Sequence, residues 1–461
     1  MAKPLAVVVL AAGAGTRMKS DVPKVLHRVG GLPMIQHVLA AVAALKPARI
    51  VVVVGPGQDA IARAVAPHPT AVQDRPLGTG HAVRAALPAL GRFAGDVLVV
   101  YGDSPLLTTA SLRRVVAARR RGSGIALAVL GFKAADPTPY GRFILNPAGE
   151  LERIVEGRDA TVDERKLDFV NSGVMAIDGA RLAALARRLR DDNAKREFYL
   201  TDLVGIARAA RSRCVVVAGD EAEFQGVNSR ADLAAAEAAM QARLRRAAMD
   251  AGVTLVDPST VWLSADTRFG RDVTVGPNTF FAPGVRIGDG VDIKGFCHFD
   301  GAGGGVVVGA GAVVGPFARL RPGTRIGAGA HIGNFVEVKN AVLGPGVKAN
   351  HLAYLGDGDV GAGANIGAGA VFVNYDGFGK WRTRVGAGAF VGSNASLVAP
   401  LSVGRGANVT AGSVVTADVP ADAVAFGRAR QESKPGRAPA LRAKLKARAA
   451  AAKAASPRPK T

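Results

Sequence analysis

The 461-residue chain is poor in several things that would assign it to a class at once. It has two cysteines, Cys214 and Cys297, too few for a disulfide framework. Neither has the neighbouring ligands of a metal site, and such usage fits a reducing cytoplasm. No apolar run approaches the roughly 18 residues of a membrane span. Lys3 before an apolar stretch imitates a signal peptide, but the segment leads directly into further strands and helices. Aromatic residues make up only 5%. The formal net charge of +22 invites a nucleic-acid reading, but its distribution argues against one. From Arg428 to Thr461 there are eleven lysines and arginines against Glu432, in an Ala- and Pro-rich tail with no aromatic to stack on bases. This tail reads as flexible or partly helical, with no specific nucleic-acid role.

What is present begins with "LAAGAGTRM", Leu10 to Met18, followed by "SDVPK". An apolar strand feeding a glycine-rich turn offers backbone N–H groups to a phosphate. A P-loop is excluded, because no Gly-Lys-Ser/Thr follows. A dinucleotide fingerprint is excluded too: Gly13 and Gly15 fit, but Met18 holds the third position. Arg17 and Lys24 add two cations at short range, which suits a triphosphate. On the loop alone, an ordinary strand-to-helix turn with surface cations stays open.

A chain of this length predicts about two to four domains. Residues 1–228 alternate short apolar runs ("LAVVVL", "RIVVVV", "DVLVVY", "GIALAVL") with helical stretches ("PMIQHVLAAVAALK", "GHAVRAALPAL"). That predicts an α/β domain with a mainly parallel, Rossmann-like sheet and ligands at the strands' carboxyl ends. "YGDSP", Tyr101 to Pro105, lies at such an end. Residues 229–252 predict a linker helix, with Ser229 as N-cap and Gly252 as stop. Residues 253–427 change grammar. Over half of the 58 glycines fall there, and apolar residues recur every sixth position. One run is Val275, Phe281, Ile287, Ile293, Phe299; another is Val308, Val314, Leu320, Ile326, Ile332, Val338; a third is Val385, Val391, Leu397, Val403, Val409, Val415. Leu343, Ala349, Leu355, Val360, Ile366 and Phe372 bridge them with changes of register. A six-residue period is neither helix nor simple strand, and predicts a parallel β-helix of hexapeptide repeats. Residues 428–461 are the basic tail.

The repeat breaks between Phe372 and Val385, where an external loop carries Asn374, Tyr375, Asp376 and Lys380. Upstream lie "GNFVEVKN" and "NHLAYLGD". His351 adjoins the inward Ala349, so its side chain is expected to face outward. A histidine there is a general-base candidate, because imidazole titrates near neutrality. A surface histidine of no consequence is the alternative.

Taken together, "LAAGAGTRM…PK", "QDRPLGTGHA", "YGDSP", "YGR", "GVNSR", "RPGT", "GNFVEVKN", "HLAYLGD", "NIGAGAVFVNYDG" and "FVGSN" closely resemble one family in sequence and order. It is the bacterial bifunctional N-acetylglucosamine-1-phosphate uridylyltransferase/glucosamine-1-phosphate N-acetyltransferase family, and the resemblance runs from about Pro4 to Arg430. It implies that Leu10, Ala11, Ala12 and Gly13 cradle UTP, with Arg17 and Lys24 at its phosphates. Gln73, Gly78 and Thr79 would read the uracil. Tyr101, Gly102 and Asp103 would lie over the reaction centre. Asp103 and Asn228 would hold Mg²⁺, and Gly141, Glu156 and Asn171 would bind N-acetylglucosamine 1-phosphate. The sugar phosphate oxygen would attack the α-phosphorus in line, with no protein nucleophile.

In the second half the resemblance implies acetyl transfer from acetyl-CoA to glucosamine 1-phosphate, with His351 as base and Glu337 offered as its orienter. Arg321 and Lys339 would clamp the sugar phosphate. Tyr354, Asn365, Asn374 and Tyr375 would shape the sugar and thioester site. Ala368, Ser393, Ala411 and Arg428 would line the CoA groove. The β-helix would be left-handed, the protein a cytoplasmic homotrimer with acetyl sites between chains, and the product a precursor of peptidoglycan and lipopolysaccharide. Departures are small: "NSG" at Asn171 to Gly173, Val373 before the Asn-Tyr pair, and "GAGGG" at Gly301 to Gly305, read as a flexible insertion. Two rivals are a monofunctional sugar-1-phosphate nucleotidyltransferase with a purely structural β-helix, and a non-catalytic scaffold of the same architecture.

Overall fold

Six consecutive apolar residues, Leu5–Leu10, form β1 and are buried throughout. A strand buried on both faces must be apolar at every position, and β-branched valines suit the extended backbone. The computed structural model describes residues 3–455; Met1, Ala2 and tail residues 456–461 lie outside the described residues. The chain divides into two compact units, Met1–Arg325 and Ile326–Thr461.

In the first unit, chain order runs β1, α1 (Met34–Ala43), β2 (Arg49–Val54), β3 (Thr70–Val72), α2 (Thr79–Leu90), β4 (Asp96–Tyr101), α3 (Thr109–Arg120) and β5 (Ile125–Lys133). The hairpin β6 (Arg142–Leu145) and β7 (Leu151–Val155) follows, then β8 (Phe169–Asp178), α4 (Asp202–Ala209) and β9 (Arg213–Ala218). The sheet order is β9-β5-β8-β4-β1-β2-β3. Every pair along it is parallel except those of β8, which is antiparallel to β4 and β5. Alternate residues face opposite sides. Val7, Val9, Leu98 and Val100 pack with α1 and α3, while Ala6, Val8, Val97 and Val99 pack with α2. Each fully buried valine or leucine contributes about 1.5–3 kcal/mol. The expected strands and helices are all present. The mainly parallel sheet is as read, with β8 reversed.

The predicted linker helix is α5, Arg230–Asp250. Ser229 caps it, and Asp232 completes a reciprocal capping box. Gly252, at φ 90°, follows its end. The helix lies wholly in the first unit and packs back on it. Ala236 and Met240 are buried with Val29, Met34, Leu106 and Val227, and Glu237 accepts from Gly30 N at 2.7 Å.

Hexapeptide coils appear in both units. In the first, Thr274–Val275, Asp292–Ile293 and Val313–Val314 stack in parallel register, as do Phe280–Phe281, His298–Phe299 and Arg319–Leu320. In the second, Lys348–His351, Asn365–Ile366, Phe390–Val391 and Asn408–Val409 form one parallel face. The residues of all the hexad runs are buried. "GAGGG" is not a loose insertion: Gly305 N donates to Gly301 O at 2.7 Å, and Gly301 packs against Gly284 so closely that a Cβ would meet backbone at 2.5 Å. In the tail, α6 spans Ala438–Ala455.

Candidate active sites

The first site forms where β1 and β4 end. Gly102 N donates to Leu10 O at 2.9 Å, tying the glycine loop to "YGDSP". Gly102 fits closely there, since a Cβ would lie 3.3 Å from Leu10 O and from Val25. Just beyond, Val227 N donates to Asp103 O at 3.0 Å, which sets Asn228 beside Asp103 across 125 residues of chain. The Lys24 ammonium bonds the Asp103 carboxylate and reaches Asn228 Oδ1 at 3.1 Å. Two oxygens from distant segments therefore converge on one cation.

These groups open into a cavity of about 270 Å³. Leu10, Ala11, Ala12, Gly13, Lys24, Gln73, Gly78, Thr79, Tyr101 and Asp103, all anticipated, line it. Val25, Pro76, Ala82 and Glu197 complete the wall and were not anticipated. Gln73 is buried and donates its amide to Gly78 O at 3.0 Å, which leaves its oxygen to accept from a base edge. Thr79 Oγ1 accepts from Leu200 N at 3.1 Å. Arg17 does not line the cavity: it is exposed on the short turn Thr16–Met18.

Gly141, Glu156 and Asn171 form a second group. Asn171 N donates to Gly141 O at 2.8 Å, and a Cβ on Gly141 would lie 3.5 Å from the Glu156 carboxylate. Glu156 accepts from Thr201 Oγ1 at 3.1 Å. Burial raises its pKa, against that hydrogen bond. Tyr101 links the two groups. Its ring packs on Gly173, where a Cβ would clash at 2.4 Å. Burial, then the charge of Glu156, keeps its hydroxyl protonated. Asp202, at the start of α4, is pushed up to about 6 by burial and then by Glu156 and Asp159.

The second site lies in the second unit. His351, at the end of strand Lys348–His351, is exposed as expected. Its Nδ1 lies 2.6 Å from Asn334 Oδ1. An amide oxygen only accepts, so Nδ1 carries the proton, and in the neutral ring the lone pair is then on Nε2. Asn334 is the partner of Nδ1, and Glu337 pairs in register with Tyr354. Beside it runs a ladder. Buried Asp357 accepts from Asn340 Nδ2 at 2.6 Å and from Asn374 Nδ2. Gly356 packs against both Tyr354 and Asn374, so these two meet there. Asn365, half-buried, pairs in register with Lys348 on the His351 strand. Lys339 O accepts from Asp357 N at 2.9 Å.

One corner of the second unit stacks the remaining residues. Gly369 N donates to His351 O at 3.3 Å, Asn394 N to Ala368 O at 2.7 Å, and Gly412 N to Ser393 O at 2.8 Å. Ala411 backs Gly392, and Arg428 Cδ lies 3.7 Å from where a Gly412 Cβ would be. Ala368, Ser393, Ala411 and Arg428 thus form one column leading to His351. The repeat's break is a hairpin with Tyr375 bridged to Lys380. Asp376 ties it, accepting from Phe378 N, Gly379 N and Trp381 Nε1, bonds that pull its carboxyl down to about 2. Arg321 follows strand Arg319–Leu320 in the first unit.

Asn334 and Asp357 sit inside motifs the sequence displays, yet were not singled out. Their signal is spacing: Asn334 to His351, Asn340 to Asp357 and Asp357 to Asn374 are each 17 residues, one turn of the β-helix here.

Residues 7–170 match the MobA-like NTP transferase domain, and residues 305–340 match the bacterial transferase hexapeptide (six repeats). A bifunctional protein GlmU from Paramagnetospirillum magneticum is 57% identical over 97% of this chain and 98% of its own. Those of Rhodospirillum rubrum and a Bradyrhizobium species are 55% and 53% identical over 96% and 95% of this chain, and 98% of each relative. Identity at this level across both the nucleotide cavity and the hexapeptide coils places the chain in the family of bifunctional GlmU transferases.

Proposed function

We propose that the two sites divide a two-step synthesis of UDP-N-acetylglucosamine as follows. Residues 1–228 carry uridylyl transfer, α5 within 229–252 joins the parts, 253–427 carry acetyl transfer, and 428–461 are a basic tail of which Arg428 alone serves the acetyl site. The observation that carries the reading is the convergence of Asp103, Asn228 and Lys24 at the mouth of a glycine-lined cavity.

The donor set fits a hard divalent cation: one carboxylate and one amide oxygen, already gathered on a single positive charge. Among the described residues no group of three or more His, Cys, Asp or Glu could hold a metal. Substrate phosphates and water would therefore complete its shell. Bound there with Asp103 and Asn228, Mg²⁺ supplies charge neutralisation at the phosphates. The chain's own residues position the reactants. The turn from Leu10 to Gly13 and the Lys24 ammonium receive the triphosphate, and Arg17 reaches the phosphates from its exposed turn. Gln73, Gly78 and Thr79 hold the uracil, while Gly141, Glu156 and Asn171 hold the sugar. Holding both reactants in line supplies much of the rate, with no protein nucleophile.

In the acetyl site, His351 Nε2 takes the proton of the glucosamine 1-phosphate amine as the nitrogen attacks the thioester carbonyl of acetyl-CoA; the C–S bond then breaks, and CoA leaves as the thiol with that proton. Asn334 fixes the required tautomer. Lys339 holds the sugar phosphate. Tyr354, Asn365, Asn374 and Tyr375 hold the sugar and thioester, and the column from Ala368 to Arg428 holds CoA. No helix of the described chain is long and apolar enough to cross a membrane. The substrates are small cytoplasmic molecules, and the assembly suited to hexapeptide coils is a homotrimer.

The test is product analysis after mixing the protein with glucosamine 1-phosphate, acetyl-CoA, UTP and Mg²⁺. UDP-N-acetylglucosamine, pyrophosphate and free CoA are expected. Uridylyl transfer to N-acetylglucosamine 1-phosphate with no thiol release from acetyl-CoA would establish the monofunctional alternative.

A further inference from the structure

Helix α6, Ala438–Ala455, has no role in either site. Every residue from Arg428 to Lys453 is exposed. Leu441 is 57% exposed and Leu445 52%. On an α-helix Leu441, Leu445, Ala449 and Ala452 fall on one stripe. Arg442, Lys446 and Lys453 run along one edge of it, and Lys444 and Arg448 along the other. The helix has no acidic residue. Arg442 and Lys446 are therefore like charges one turn apart, as are Lys444 and Arg448, and such pairs oppose the helix. No described residue covers the helix, so nothing in the chain offsets that repulsion. Only an anionic partner relieves the repulsion while covering the leucines.

We propose that α6 is a docking helix for an anionic phospholipid surface. Cations on both edges of a narrow apolar stripe are the arrangement that lets a helix lie flat in a membrane interface. The leucines enter the acyl boundary, and the long basic side chains reach up to the headgroups. Nucleic acid fits less well, because its backbone offers no apolar seat for Leu441 and Leu445 and the tail has no aromatic to stack on bases. The helix is set off from the last β-helix strand, Val424–Ala425, by an exposed segment with a turn at Gly436 (φ 76°). Because the apolar stripe is narrow, electrostatics dominates, with each cation near the surface worth roughly a fivefold gain in partitioning.

The experiment is co-sedimentation of the full-length protein with phosphatidylcholine vesicles, with and without roughly a third phosphatidylglycerol. Binding is expected only with phosphatidylglycerol, and it should be lost at about 0.5 M salt. A chain ending at Pro435 should not bind. Arg442→Gln/Lys444→Gln/Lys446→Gln/Arg448→Gln should weaken binding by at least about a hundredfold. Leu441→Asp/Leu445→Asp should weaken it by about tenfold or more. Both transferase activities, measured without vesicles, should be unchanged in all three, which keeps this test separate from the assignment of the sites. The proposal is overturned if the full chain ignores phosphatidylglycerol, or if the leucine variant binds vesicles as the unaltered protein does. It is equally overturned if a nucleic acid of matched charge competes the protein off vesicles, with affinity for that nucleic acid independent of the leucines.

Discussion

Replacing His351 by alanine tests the acetyl site most directly. The amine of glucosamine 1-phosphate must lose a proton as it attacks, and Nε2 is the acceptor the geometry provides, because Nδ1–H is committed to Asn334 at 2.6 Å. Removing a positioned base costs about 10²–10⁴-fold, or about 3–5 kcal/mol of transition-state stabilisation. The side chain is exposed, so its loss should alter stability by no more than about 0.5 kcal/mol. Thiol release from acetyl-CoA should therefore collapse, while pyrophosphate release in the uridylyl assay stays normal. Asn334→Ala separates base from orienter. It removes one hydrogen bond worth about 1 kcal/mol, so acetyl transfer should fall roughly fivefold, not a thousandfold. Asn334→Asp places a carboxylate against the ring and favours imidazolium. The acid limb of kcat should then move to higher pH, since the base is lost earlier as pH falls. In His351→Ala that limb should vanish. Near-normal acetyl transfer in His351→Ala, with the same acid limb, would refute the assignment.

Asp103→Asn or Asn228→Ala should remove most uridylyl transfer, weaken Mg²⁺ binding measured by calorimetry with UTP, and spare acetyl transfer; equal loss of both activities would indicate misfolding. A 1–250 fragment should keep uridylyl transfer, but melt below the full chain. It loses the paired bonds between Gln241 and the Leu263 backbone, at 2.7 and 2.9 Å, and an inactive but folded fragment would refute the partition. Asp357→Ala should reduce acetyl transfer and cost about 1–3 kcal/mol, measurable by denaturant melting, because it strands the buried Asn374 amide. Asp202 titrates near 6 when folded, above its ordinary value of 3.8, so its charge opposes folding above pH 6 and the penalty disappears as pH falls through about 4. Asp202→Asn should accordingly stabilise the protein by about 1 kcal/mol at pH 8, after allowing for solvent screening, and by almost nothing at pH 4. Equal stabilisation at both would show that the carboxylate is not destabilised by burial.

Periodicity in the chain specified most of the architecture. An unbroken six-residue run rich in valine, such as Leu5–Leu10, favours a doubly covered strand, and a sixth-position repeat held over many turns closes into stacked coils. The caps of α5 were legible because Ser229 and Gly252 serve the helix ends through local bonds, and Asp232 adds a reciprocal bond that the structure shows. The glycine loop and the outward face of His351 were legible for the same reason, since each follows from neighbours in sequence. What the chain alone did not decide is which distant groups meet. Lys24, Asp103 and Asn228 come together only because β1, β4 and the segment before α5 end at one place. Asn334 meets His351 because coil register, set by apolar packing inside the β-helix, stacks residues 17 apart on the outside. The antiparallel β8 and the packing of α5 back onto the first unit were likewise decided by burial between remote segments. Local propensity depends on nearest neighbours and can be read along the chain. Side-chain convergence depends on where whole elements terminate, and that appears only when they are packed.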